Sequence, residues 1–150
     1  MSAERLCVRL YVDGGARGNP GPAGAGVVIV DRGDGATLYE GGLFLGRATN
    51  NVAEYRALVA GLKTAGELGA AEVEVLSDSE LLVRQMTGEY RVRNAGLQPL
   101  HRRAQELAGR FGRCRFRHVR REANSRADGL VNRAINLKQN VESAGGRDVP

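Results

Sequence analysis

The chain predicts an α/β fold: a mixed five-stranded sheet, three antiparallel strands plus two parallel, flanked by helices. Two observations lead there. Up to residue 45 the sequence holds three apolar, β-like runs joined by short links rich in Gly, Pro and Asp, the pattern of an antiparallel meander. From residue 51 onward helical and extended patterns alternate, and crossovers of that length connect parallel strands. At 150 residues the chain has the size of one domain, able to bury a core without disulfides or a structural metal.

The first strand is residues 6–12, with Val8, Leu10 and Val12 on one face. It runs into Asp13-Gly14-Gly15-Ala16-Arg17-Gly18-Asn19-Pro20-Gly21-Pro22, read as an extended turn whose bare backbone lets a polymer come close. Residues 25–30 form the second strand, Asp31-Arg32-Gly33-Asp34-Gly35 a hairpin link, and residues 37–45 the third strand. The longest helix spans about 51–68 and stops at Gly69. A fourth strand at 72–77 carries Val73, Val75 and Leu76, and a short helix at 79–86 ends before Gly88. A polar loop at 89–96 leads to a helix at 97–111. A fifth strand follows at 113–119, alternating Cys114, Phe116 and His118 with arginines, and the last helix is 126–137. Residues 1–138 are thus expected as the folded domain and 139–150 as a flexible, Gly-rich tail.

Charge is unevenly spread. The formal net charge is +5, but residues 1–80 hold seven Lys/Arg against eleven Asp/Glu, whereas residues 81–133 hold thirteen against four. The second part therefore favours a polyanionic partner such as nucleic acid. No apolar run is long enough for a membrane span, and the first residues match neither a signal sequence nor a targeting helix. Cys7 and Cys114 sit singly in apparent strands, as buried free thiols of a reducing cytoplasm do.

Four carboxylates stand out against this background. Asp13 closes the first strand and Asp78 the fourth, and these strands are expected to be parallel neighbours about 5 Å apart. Glu54 heads the apolar stripe of Leu58, Gly61, Ala65 and Leu68, and Asp128 heads that of Val131 and Ile135. Each also has an ordinary role open to it. Asp13 can start a turn and Asp78 can cap a helix. Asn51-Val52-Ala53-Glu54 and Ser125-Arg126-Ala127-Asp128 both fit a capping box. Together they would meet at the carboxyl ends of parallel strands, where open α/β sheets place their sites. Such a cluster needs cations to stay ionised. Hard oxygen donors without His or Cys select Mg²⁺, with Mn²⁺ as substitute, and suggest two ions about 3.5–4 Å apart cleaving a phosphodiester.

Tyr11-Val12-Asp13-Gly14, Gly18-Asn19-Pro20-Gly21-Pro22, Ala48-Thr49-Asn50-Asn51 with Glu54, Ser77-Asp78-Ser79 and Asn124-Ser125-Arg126-Ala127-Asp128 closely resemble ribonuclease H type 1, in the right order over residues 6–137. The resemblance implies a ribonuclease H-like fold and an endonuclease cutting the RNA strand of RNA/DNA hybrids to 5′-phosphate and 3′-hydroxyl ends. It implies two Mg²⁺ ions on Asp13, Glu54, Asp78 and Asp128. Gly14, Gly15, Asn19, Asn50 and Asn51 would read ribose hydroxyls of the RNA strand, the group that separates RNA from DNA. Arg47, Thr49 and Asn94 would grip a DNA-strand phosphate. The partner implied is the hybrid and not a membrane, with the protein a monomer.

Two departures matter. Many members of that family insert a basic, Trp-containing handle after the third acid's helix; here 88–96 occupies its place, Trp is absent, and Leu81 stands at one expected aromatic position. The compact, handle-less branch is the nearest form, with Arg84, Arg91, Arg93, Arg102 and Arg103 able to compensate by charge. A histidine loop before the final acid is also missing, leaving Arg120, Arg121 or Glu122 as substitutes and His118 as a structural strand residue. A non-catalytic hybrid- or double-stranded-RNA-binding module, a DNA-directed nuclease of the same fold and a metal-dependent phosphatase are the competing readings. All four acids argue against the first, the ribose-reading set against the second, and the lack of an enclosing pocket motif against the third.

Overall fold

A computed structural model describes residues 5–143. One mixed sheet organises it. Strands β1 (Cys7–Ala16), β2 (Gly21–Asp31) and β3 (Thr37–Ala48) form the antiparallel meander. Helix α1 (Asn50–Glu67) crosses to β4 (Glu72–Ser77), and α2 (Glu80–Met86) and α3 (Gln98–Ala108) lead to β5 (Arg113–His118). A 3-10 turn, Arg121–Asn124, enters α4 (Ser125–Leu137), and a short β6 (Val141–Ser143) follows. The strand order is β5-β4-β1-β2-β3-β6, with β1, β4 and β5 parallel as expected.

Among the described residues the sheet therefore has six strands rather than five. The sixth lies in the stretch expected as a tail, and residues 144–150 of that stretch fall outside the described residues. β6 pairs antiparallel with β3, Val141 opposite Gly42. Asn140 Oδ1 accepts the Phe44 amide at 2.9 Å, and the Tyr39 hydroxyl donates to Glu142 at 2.9 Å. Three residues carry too little alternation to announce a strand.

Alternation along β1 assigns its two faces. Val8, Leu10 and Val12 join Ile29, Leu58, Leu62, Val75 and Leu107 in the main core beneath α1 and α3. Tyr11, Val28, Val30, Ala127 and Leu130 pack on the other face, under α4. α1 ends where Gly69 adopts φ +82, with the Ala70 amide donating to the Ala65 carbonyl. Among the described residues no helix is long and apolar enough to cross a membrane. Cys7 and Cys114 are free and half-buried, and burial pushes the Cys114 thiol up to about 11.

The turn after β1 starts later than the Gly-rich sequence suggested. Gly14, Gly15 and Ala16 are strand, paired with Ala25, Gly24 and Ala23, and the chain reverses at Arg17–Pro20. Long pairing with β2 holds these glycines extended, so Asp13 lies inside a strand. It still stands just beyond the parallel ladder, whose last pair is Tyr11 and Leu76. Two residues beyond that pair stand Asp13, still within β1, and Asp78, immediately after β4.

Candidate active site

Two close approaches of backbone bring the acids together. Gly14 lies against α1 so closely that any side chain there would collide with the backbone of Ala53 and Glu54. On the opposite face Gly26, the register partner of Asp13, lies against the Ala127 carbonyl in the same way. One glycine thus seats the first turns of α1 on β1 and delivers Glu54, and the other seats α4 and delivers Asp128. Gly24 and Gly42 extend the α4 seat, a methyl on either falling 2.9 Å and 2.6 Å from the Val131 and Leu130 carbonyl oxygens.

None of the three helix-associated acids is a cap. Thr49 caps α1, its hydroxyl accepting the Val52 amide at 3.2 Å. Ser79 caps α2, accepting the Leu82 amide at 3.1 Å. Asn124 occupies the cap position of α4, and Asp128 sits within its first turn. The caps lie one or two residues away from those expected from sequence, which removes the capping role from Glu54, Asp78 and Asp128 alike.

Asp13, Glu54, Asp78 and Asp128 line one cleft of about 450 Å³, with Gly14, Gly15, Ala16, Arg17 and Asn50 along one wall and His118–Arg121 along another. Burial, then the charges of Asp78, Asp128 and Glu54, push the Asp13 carboxyl up to about 8. Glu54 rises to about 7, again chiefly by burial; a hydrogen bond from Ser79 opposes the rise and Asp78 adds to it. Among the described residues no three His, Cys, Asp or Glu side chains close on a common point as a finished metal cage would. Asp13 and Asp128 come within hydrogen-bonding reach of each other, which adds to the rise at Asp13. The chemistry of the four acids nonetheless fits a hard divalent cation: every donor is a carboxylate oxygen.

The other residues singled out from sequence divide into two groups. Asn50 and Asn19 stitch the β1–β2 turn to α1: Asn50 Oδ1 accepts the Ala16 amide at 2.8 Å, and Asn19 Oδ1 accepts the Asn50 amide at 3.1 Å. Asn51 is exposed on the first turn of α1, in a small depression shared with Glu54 and Ser79. Arg47, Thr49 and Asn94 do not line the acidic cleft. Arg47 is exposed near the end of β3, and Asn94 is exposed between α2 and α3 with Oδ1 accepting the Gly96 amide at 2.7 Å.

A family model described as reverse transcriptase-like matches residues 11–134. The ribonuclease HI of Halobacterium salinarum is 45% identical over 128 residues, 85% of this chain and 64% of that protein. The chain belongs to the ribonuclease H type 1 family. A bifunctional protein of Mycobacterium tuberculosis is 48% identical over 128 residues, 85% of this chain but 35% of its own length. The chain thus spans between about a third and two thirds of these relatives. Among solved structures, LC11-RNase H1 in complex with an RNA/DNA hybrid superposes with a TM-score of 0.82 at 45% identity, covering 87% of this chain and 98% of that one.

As a ribonuclease H type 1 domain this chain is a compact one. Residues 87–97 join α2 to α3 with no helix between them, and the exposed aromatic there is Tyr90, with the Arg84 guanidinium 5.3 Å from its ring centre. Several residues around the acids were not among the candidate site residues read from the sequence. His118, read as a structural strand residue, is exposed at the cleft wall; its Nε2 lies 3.3 Å from the Asp78 carbonyl oxygen, which can only accept. Asn132 donates to the Asp128 side chain at 3.4 Å. Asn124, fully buried, donates from Nδ2 to the Val12 carbonyl at 2.8 Å and so ties the entry of α4 to the residue before Asp13. For Asn124 and Asn132 the only signal available was a position one helical turn from Asp128; His118 reaches Asp78 across the β4–β5 pairing and carried none.

Proposed function

We propose that the protein is an endonuclease hydrolysing the RNA strand of RNA/DNA hybrids by two-metal-ion catalysis, leaving 5′-phosphate and 3′-hydroxyl ends. The observation that carries this reading is the convergence of four carboxylates, none occupied as a cap, on one open cleft walled by strand and helix backbone. Two Mg²⁺ ions held by Asp13, Glu54, Asp78 and Asp128 would supply Lewis acidity, making water a nucleophile and stabilising charge on the leaving oxygen. Water oxygen bonds to phosphorus, the bond from phosphorus to the 3′ oxygen breaks, and the proton passes to that oxygen.

This chain's own residues do the positioning. The hydrogen-bonded set of Ala16, Asn19 and Asn50 holds the cleft wall rigid beside the acids. Gly14 and Gly15 keep that wall low, and Asn50 Nδ2 and Asn51 remain to meet ribose hydroxyls. Arg47, Thr49 and Asn94 are assigned to a phosphate of the DNA strand.

The deciding experiment compares end-labelled RNA/DNA, RNA/RNA and DNA/DNA duplexes with Mg²⁺. Cleavage confined to the RNA of the hybrid is expected. Cutting of DNA/DNA would point to a DNA-directed nuclease, and binding without any cutting to a recognition module. Asp78→Asn isolates the role of the acid. Ser79 is the cap, so the fold should survive, while turnover should fall by more than about 100-fold if Asp78 is a ligand. Hybrid affinity measured in Ca²⁺ should persist or tighten, because a repulsive charge beside the phosphate is gone. Near-normal turnover would remove Asp78 from the mechanism.

A further inference from the structure

β5 is the outermost strand on one side of the sheet, and its two faces differ sharply. Cys114 and Phe116 pack inward on the main core. Arg113, Arg115 and Arg117 alternate with them and are exposed on the other face. α4 lies over β1, β2 and β3, so this part of the sheet is open. Successive guanidinium-bearing residues stand about 6.6 Å apart along the strand.

The acids facing this row come from the neighbouring strand. Glu72 pairs in register with Arg113, Glu74 with Arg115, and Leu76 with Arg117. Glu74 is already engaged by Arg9 at 3.2 Å. Among the described residues none of the Arg113, Arg115 or Arg117 guanidinium groups makes an ion pair or hydrogen bond. The row then continues into the acidic cleft, because Arg120 and Arg121, also exposed, form part of its wall.

Charged side chains on an outer strand also discourage edge-to-edge pairing. That role is indifferent to sign and needs no connection to the cleft. Here every charge on the strand's open face is positive, and the line leads to the place where a polyanion is to be cut.

We infer that the open face of β5 is a second contact surface for the same substrate. Arg113, Arg115 and Arg117, continued by Arg120 and Arg121, track the phosphate backbone of the hybrid arm leaving the cleft. The inference rests on the proposed hybrid substrate. Such a track acts through counterion release, so it adds to affinity and salt dependence on hybrids long enough to reach it, without touching the reacting phosphate.

The test compares the wild-type chain with Arg113→Gln/Arg115→Gln/Arg117→Gln on hybrids of about 8 and about 24 base pairs, with Kd measured in Ca²⁺ over a salt series. On the long hybrid the variant should lose about two to three units of the slope of log K against log salt. On the short hybrid slope, Kd and kcat should stay at wild-type values. The corresponding triple Lys variant should keep the wild-type slope. If the triple Gln variant does not fold by its thermal transition, Arg115→Gln alone should lower the long-hybrid slope by about one. A wild-type slope in the Gln variant on the long hybrid overturns the inference, leaving the arginines as edge guards or as a surface for another partner. A wild type that cuts neither hybrid fails earlier, at the proposed function, and takes the inference with it.

Discussion

Asp13 and Glu54 have ordinary values of 3.8 and 4.5 and are raised to about 8 and about 7 in the fold. In the metal-free protein the folded state therefore holds protons that the unfolded chain has already released. Their contribution to stability is complete below about pH 4 and is lost as pH rises through about 7–8. The metal-free thermal midpoint should accordingly fall between about pH 5 and pH 8, and added Mg²⁺ should raise it more at the upper end. Thermal melts with chelator and with Mg²⁺ measure both, and a metal-free midpoint flat across that range would show that neither burial nor crowding raises these two acids. The acids themselves were legible in the sequence, since Glu54 and Asp128 head apolar stripes where a carboxylate has no packing reason to be. Ser79 and His118 were not, because each meets its acid or that acid's backbone only through the β4–β5 register and the turn after β4.

Elements carry the geometry that residues use. α4 can approach β2 only because Gly26 lacks a side chain, and Asp128 stands one residue after the contact. Gly26→Ala should push α4 outward, destabilise by about 1–3 kcal/mol and lower cleavage at least about tenfold, since small displacements of positioning groups are costly to rate. Gly129→Ala is the matched control. It lies on the exposed side of the same helix with open space around it, and should stabilise by about 0.5–1 kcal/mol with cleavage retained. Denaturation midpoints and turnover for the pair decide the matter; equal loss in both would mean that α4 tolerates no change at all and that the seat is not special. Element order and parallel pairing could be read from the alternation of patterns along the chain. Caps and strand ends could not. Thr49, Ser79 and Asn124 are all reasonable caps, but so are their neighbours Asn51, Asp78 and Ser125, and local chemistry does not choose among adjacent candidates.

At the scale of the molecule the two sides of the sheet in the described residues are managed differently. β5 presents arginines, whereas β3 is covered by β6 through only three paired positions, the Asn140 contact and the Tyr39–Glu142 hydrogen bond. Removing residues 139–150 should leave the cleft and its turnover intact, lower the thermal midpoint, and increase self-association by exposing the β3 edge. Light scattering against concentration, beside melts, checks this; unchanged scattering and midpoint would reduce β6 to a passive appendage. Short pairing of this kind is invisible in a polar, Gly-rich stretch because its stabilisation comes from Gly42 and Phe44, a hundred residues away in the chain.

The glycine seat for α4 also sets an order of events. Asp13, Glu54 and Asp78 come from elements that are complete by residue 78, while Asp128 arrives only when the last helix docks across β1, β2 and β3. A chain is made from its N-terminus, and a domain folds as a unit. Synthesis of the fifty residues between Asp78 and Asp128 takes roughly 3–10 seconds at ordinary rates, and during it neither β5 nor α4 is yet there to complete the sheet and the set of acids. On the proposed function, a growing or stalled copy is inert toward the RNA around it, and the ability to cut appears together with the finished fold.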